Sequence, residues 1–252
     1  MANIAVEKEE NKRKRKPVAI KLMLAILVAS VAIAAFVRSD FFTIKQISVE
    51  GATTITADEI IDVSGLAEVE QIFSFNASKV TSEILKQLPR VGMASVDRYL
   101  PDKLVIRISE REPILYIKQQ SGYFAVDRNY MVFSKTPIIE VASTILVTGL
   151  EKLEIDVGKP FLKNQTAQTQ TFARIVAFLE DRALCPMVSE IYISPKAYYI
   201  YTRNSSVVRF FSYSAFKANE EFLESFIPYD NKGVMVEVVD GAKPVYKLIN
   251  IE

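Results

Sequence analysis

A chain of 252 residues with no histidine has few routes to covalent chemistry. Without imidazole, Ser-His-Asp and Cys-His catalysis are excluded, as is any metal site that needs a histidine ligand. A Ser-Lys pair or a pair of carboxylates stays open. The carboxylate candidate is the run SEREP, which holds Glu110 and Glu112. On a strand, positions i and i+2 share a face, so the two acids would meet. Glycosidase carboxylates usually come from separate elements around a cleft, and Arg111 and Pro113 beside this pair read as a joint between domains. The single Cys185 cannot form an intrachain disulfide, and in RALCPM it reads as a small buried apolar residue at a helix end. No catalytic residue, cofactor, metal ligand or small-molecule substrate is therefore expected.

The other chemistry is non-covalent and sits in the run VMVEVVDGAKPVYKLINIE. Two β-prone stretches flank Asp240-Gly241, which reads as a hairpin turn. The second stretch has no later segment to take its far side. Exposed edges are normally blunted by charge, proline or a bulge, and here Lys243 and Pro244 guard only the beginning. The backbone of Val245, Tyr246, Lys247, Leu248 and Ile249 is thus the candidate docking site for a partner that adds a strand. Tyr246 is the candidate hot spot. The competing expectation is an edge capped by another part of the same fold.

The elements that must position this edge begin with an anchor. Residues 18–37 read VAIKLMLAILVASVAIAAFV. Twenty residues at about 1.5 Å each span about 30 Å, the thickness of the bilayer hydrocarbon. Residues 1–17 hold six basic side chains, five of them in KRKRK, against three acidic ones. The positive-inside rule keeps this tail in the cytoplasm and sends the rest of the chain outward. A cleavable signal sequence would have a shorter apolar core. A basic cluster abutting a span is a topology signal before it is a nucleic-acid patch. The residues beyond the span are slightly acidic, so no nucleic-acid partner is expected.

Beyond the anchor, residues 42–50 alternate as one strand with a bulge near Lys45-Gln46, and Gly51 ends it. Thr56 and Glu59 form a capping-box pattern ahead of a short helix closed near Gly65. A second helix starts near Asn76 or Ser78, places Val80, Ile84, Leu85 and Leu88 on one face, and stops at Pro89. Two strands follow around Leu100-Pro101-Asp102. In the second, Leu104, Ile106 and Ile108 face one way, and Val105 and Arg107 the other. The order is β-α-α-β-β over about 70 residues, at 41–111.

Residues 112–252 form a β-rich domain. PILYIKQ, GYFAVDR, YMVFS, STILVTG, SEIYIS, AYYIYTR and SSVVRFF read as short strands. A helix is expected near 165–184, with Phe172, Ile175, Val176 and Leu179 on its apolar face. A further single helix is expected over 214–226, with Phe216, Phe222, Leu223 and Phe226. Asn204-Ser205 sits in a hairpin turn. In the run from Tyr198 to Tyr201, alternation puts some rings in the core and some outside. The fold class is α+β: an N-terminal transmembrane helix, a βααββ domain, then a mainly antiparallel β domain with flanking helices.

Phe42, Ile44, Ile47, Val49 and Gly51 are followed by a capped helix. Later come Val96, Arg98, Pro101, Leu104, Ile106, Ile108, Glu110, Arg111 and Pro113. With the basic tail and single span, this pattern resembles the bacterial cell-division family FtsQ, called DivIB in some bacteria. The resemblance implies a POTRA-like first domain and no enzymatic activity. It implies a scaffold at the division septum of the plasma (inner) membrane, linking early and late divisome proteins. It also implies recruitment of FtsB/DivIC-like and FtsL-like single-span partners, with FtsB-type partners pairing with the terminal strand. The alternative is a membrane-anchored envelope enzyme acting on peptidoglycan. A third possibility, a POTRA-bearing translocation component, would feed a transmembrane barrel whose strands are not in the sequence.

Overall fold

The computed structural model describes residues 2–150, 153–163, 166–230 and 233–248. Helix α1 runs Ala2–Val37. Its stretch Ile20–Val37 has a mean hydropathy of 2.6 and is the one described helix long and apolar enough to cross a membrane. Its large side chains, from Ile20 to Phe36, are each more than half exposed. A helix that is apolar all round and uncovered by its own chain has hydrocarbon as its natural solvent. The chain divides into two compact units. Met1–Leu85 with Met93–Ser109 make the first, and Lys86–Gly92 with Glu110–Glu252 the second.

The first unit carries β1 (Gln46–Glu50), α2 (Ala57–Ser64), α3 (Ala77–Gln87), β2 (Val91–Tyr99) and β3 (Lys103–Glu110). Its sheet has the order β1-β3-β2, with β1 parallel to β3 and Val49 opposite Ile106. The helix signals have physical partners. Thr56 accepts the Glu59 N–H at 3.3 Å, and Gly65 takes the left-handed cap. The Asn76 carboxamide oxygen accepts the Lys79 N–H at 3.2 Å. Ile60, Leu66, Ile72, Ile84, Leu104 and Ile106 are fully buried. Gly51 has φ +84°, and a Cβ there would sit 2.1 Å from the Ile108 carbonyl oxygen, so no other residue fits. Arg98 donates to the carbonyls of Ile72 and Phe75, each at 2.8 Å, and lies over the Phe75 ring. That arginine therefore pins the loop between α2 and α3.

Two expectations need correction in this unit. Residues 42–50 are not one strand. Asp40–Phe42 is a 3-10 turn, Thr43 bridges Gln71, and β1 starts at Gln46. Phe42 is pulled out of the alternation because its ring packs on Phe36, Phe41 and Phe73. Leu85 is 36% exposed, at the margin of the face that Val80 and Ile84 define. Val105 faces the side opposite Leu104 and Ile106, as its alternation implies, and is also buried.

The second unit is built on one nine-stranded sheet in the order β12-β11-β10-β9-β8-β7-β4-β5-β6. Its strands are β4 (Leu115–Gln119), β5 (Gly122–Val126), β6 (Val132–Thr136), β7 (Ile145–Thr148), β8 (Val188–Ile193), β9 (Tyr198–Thr202), β10 (Val207–Phe210), β11 (Val234–Val238) and β12 (Val245–Leu248). The sheet is mixed: β4–β7, β7–β8 and β10–β11 are parallel, and the other neighbours antiparallel. Helices α4 (Ala167–Asp181), α5 (Tyr213–Lys217) and α6 (Glu220–Phe226) share one core with one face of the sheet. Phe172, Ile175, Val176, Leu179, Phe216 and Leu223 pack in the same cluster as Ile117, Val147, Ile191, Ile200, Val208 and Val236. Burying a side chain of that size contributes about 1.5–3 kcal/mol.

The single helix expected over 214–226 is broken into α5 and α6 at Asn219. Asn219 leaves helical dihedrals, and its amide donates back to the Ala215 carbonyl at 2.9 Å, which stabilises the break. Tyr198 stacks on Phe210 in the core, whereas Tyr199 and Tyr201 are half-buried on the other face of the sheet. Ser205 occupies the β9–β10 turn with φ 69°.

Candidate partner-docking edge

Strand β12 is the end member of the sheet. Among the described residues it pairs with β11 alone. The register sets Val234 opposite Leu248, Met235 opposite Lys247, Val236 opposite Tyr246 and Glu237 opposite Val245. Opposed residues share a face, so Tyr246 lies on the side of the buried Val236, and Val245 and Lys247 on the side of Glu237 and Met235. The connection is not a two-residue turn. Pairing begins only at Val245, after Pro244, which has no N–H to give a ladder. The bend is closed by Ala242 N–H to the Val239 carbonyl at 3.4 Å and by Ser214 Oγ to Asp240 at 2.8 Å.

Val245 is 48% exposed and Tyr246 59%. The Tyr246 ring nevertheless has a seat, edge-on to Phe222 at 6.1 Å and Phe226 at 6.4 Å. Helix α6 therefore forms a shelf beside the edge, and Tyr246 is fixed against it with its outer part in solvent. Ile249, the last of the five candidate residues, lies outside the described residues. The opposite end of the sheet differs. At Val132 the far side of β6 is taken by main-chain bonds from Val132 N–H to Lys159 O and from Gly158 N–H to Val132 O. One sheet edge is thus partly covered by its own chain, and the other carries no described cover.

A charged row lies beneath Val245 and Lys247. Glu237 accepts from Arg209 on β10 and from Lys247 Nζ at 3.2 Å on β12. This row was not anticipated. Its only signal was one acid inside an apolar run, and the parallel β10–β11 pairing that supplies Arg209 spans 28 residues. The Arg209 hydrogen bond, helped by Lys247, holds the Glu237 carboxyl below its ordinary value against the opposing effect of burial. A lowered folded-state pKa gives stability that is present above the unfolded value and lost as pH falls through the folded one. We therefore expect the melting difference between wild type and Glu237→Gln to stay constant from neutral pH to about 5, then close below about 4.5, the unperturbed value. The gap itself should not exceed about 2–4 °C, the equivalent of roughly 1 kcal/mol for a partly exposed pair. A gap that widened on acidification would contradict the row.

The acids of SEREP are placed apart from this edge. Glu110 ends β3, and Glu112 lies beyond it, so the face-sharing of a strand does not apply to them. Glu112 lines an open cleft of about 570 Å³ with Ile114, Arg128, Glu180 and Cys185, and Glu110 does not line it. Burial pushes the half-buried Cys185 thiol up to about 11, the wrong direction for a nucleophile. Arg111 ties Asp127 in a largely buried ion pair and donates to the Pro89 carbonyl at 3.0 Å. Asp127 in turn accepts from the N–H groups of Asn129 and Met131, so the SEREP arginine organises the β5–β6 turn.

Residues 42–111 match the family described as POTRA domain, FtsQ-type. The chain is 28% identical over 158 residues to the cell division protein DivIB of Clostridium tetani, covering 63% of this chain and 59% of that one. It is 32% identical over 110 residues to the cell division protein FtsQ of Corynebacterium glutamicum, covering 43% and 49%. The POTRA match and these relatives support the FtsQ/DivIB family. A longer alignment, 22% identical over 232 residues, relates it to DivIB of Brevibacillus brevis, covering 90% of this chain and 84% of that one. The first two relatives are thus matched over roughly half to three fifths of their length.

Proposed function

We propose that the chain is a membrane-anchored cell-division scaffold that recruits small single-span partners by strand addition to β12. In this reading residues 1–17 are a cytoplasmic tail and residues 18–37 cross the plasma membrane. The POTRA-like domain at 41–111 and the β-rich domain at 112–252 lie outside, at the division septum. The partners are FtsB/DivIC-like and FtsL-like proteins, and the scaffold links early and late components of the division machinery. The observation that carries the reading is the edge itself: a strand with exposed Val245 and Tyr246, an α6 shelf beside it, and no described strand on its far side. Main-chain bonds to such an edge supply affinity, and the shelf and charged row supply side-chain selection. The relatives' names support the division role.

Topology is tested by tags. A tag at Met1 should resist protease in intact spheroplasts and one at Glu252 should be removed, because moving the KRKRK charge across the membrane is disfavoured. Digestion of the N-terminal tag would reverse the orientation. The scaffold role is tested by capture. The full-length protein in detergent should retain FtsB/DivIC-like and FtsL-like proteins, and failure to retain either would refute it.

A further inference from the structure

Four phenylalanines form a chain of ring contacts where α1 meets the first unit. Phe36 stacks on Phe41 at 6.0 Å and meets Phe42 edge-on at 5.3 Å. Phe42 meets Phe41 at 5.0 Å and Phe73 at 5.3 Å. Phe42 is buried at the centre. Phe36, Phe41 and Phe73 are 58%, 56% and 44% exposed. We infer that Phe41 and Phe73 are a membrane-interface contact, which seats the first unit on the lipid surface instead of leaving it on a free tether.

Two features of the segment favour a built contact over slack. The first is that Phe73 is held open. Ile72 N–H donates to the Phe42 carbonyl at 3.1 Å, Ile44 N–H to the Glu70 carbonyl at 2.8 Å, and Thr43 bridges Gln71. Arg98 fixes the carbonyls of Ile72 and Phe75 on either side of Phe73. The backbone is clamped before and after the ring, yet the ring, edge-on to Phe42 on one side, leaves 44% of Phe73 exposed. Exposed apolar patches on a rigid surface mark a contact.

The second feature identifies the occupant. Phe36 belongs to the apolar stretch Ile20–Val37. A ring stacked on a residue of the span must lie at the end of the span, where aromatic side chains partition into the boundary between headgroups and acyl chains. Arg38, the first residue past that stretch, adds a cation at the same level. The patch is continuous with the membrane segment, so lipid covers it. This inference rests on the proposal that residues 18–37 cross the membrane.

The chain has no tryptophan, so one introduced ring is the only strong fluorophore. Phe73→Trp and, separately, Phe36→Trp are made in the full chain. Each is reconstituted into phosphatidylcholine–phosphatidylglycerol vesicles, with and without bromine on the upper acyl carbons. Flotation confirms anchoring. The expected result is blue-shifted emission from Phe73→Trp that loses roughly half its intensity in brominated lipid, the depth of an interfacial contact. Phe36→Trp should be quenched as well. Quenching of Phe36→Trp alone would overturn the contact and leave the span standing. Quenching of neither would overturn both. A blue-shifted but unquenched Phe73→Trp would show that a second copy of the chain, not lipid, covers the ring, and would also overturn the inference.

Discussion

Truncation after Lys243 should abolish capture of the FtsB/DivIC-like partner while leaving the melting of the first unit unchanged. The truncation removes β12 and uncovers β11, whose Val236 and Val238 already contribute to the core with β10 and α6. A subtler pair of variants separates the two sides of the strand. Along a strand, successive N–H groups point to opposite edges. One of Lys247→Pro and Leu248→Pro therefore removes a donor aimed at β11, and the other a donor aimed outward. The outward one should lose partner affinity by a factor of about 10 or more, the equivalent of at least one lost main-chain bond plus the proline clash, with melting preserved. The inward one should lose affinity and also destabilise the hairpin. Tyr246→Ala is expected to weaken binding on a separate ground: its ring is seated on Phe222 and Phe226 and offers its outer part to the partner.

Ile106→Asp should unfold the first unit. Ile106 is fully buried on the central strand of a three-stranded sheet, opposite Val49 on β1. An unpaired carboxylate there costs about 3–5 kcal/mol, comparable to the whole stability of a domain of about 70 residues. The readout is limited proteolysis of the full-length variant. Cleavage should appear within residues 46–110, with the nine-stranded sheet intact. A variant as resistant as wild type would remove Ile106 from the core. Ile106→Val, which keeps the shape and loses one methylene, should cost only about 1 kcal/mol and serves as the control.

Local signals were legible because they act over one turn of chain. The Thr56/Glu59 cap, the start of α3 near Asn76, its stop at Pro89 and the strand end at Gly51 could all be read from neighbours in sequence, although the reason only glycine fits at 51 is the Ile108 carbonyl far along the chain. The βααββ order followed from them. What was not legible depends on contacts far along the chain. Phe42 fits a strand alternation, yet three rings, one of them Phe73, draw it into a 3-10 turn. The spacing of Phe216, Phe222, Leu223 and Phe226 suits one helix, and only the side-chain bond from Asn219 to Ala215 explains two. The docking strand could be proposed from its bare edge. The shelf under Tyr246 and the Arg209–Glu237–Lys247 row required the register of β10, β11 and β12, which no local pattern encodes.

Backbone hydrogen exchange at residues 245–248, with and without the FtsB/DivIC-like partner, tests strand addition most directly. A partner bound through side chains alone would leave the outward amides open to water. A partner strand would close them into a ladder. Alternate amides of β12, the ones not already paired to β11, should change from fast to slow exchange in the complex. Full binding with those amides still exchanging at their free rate would contradict it.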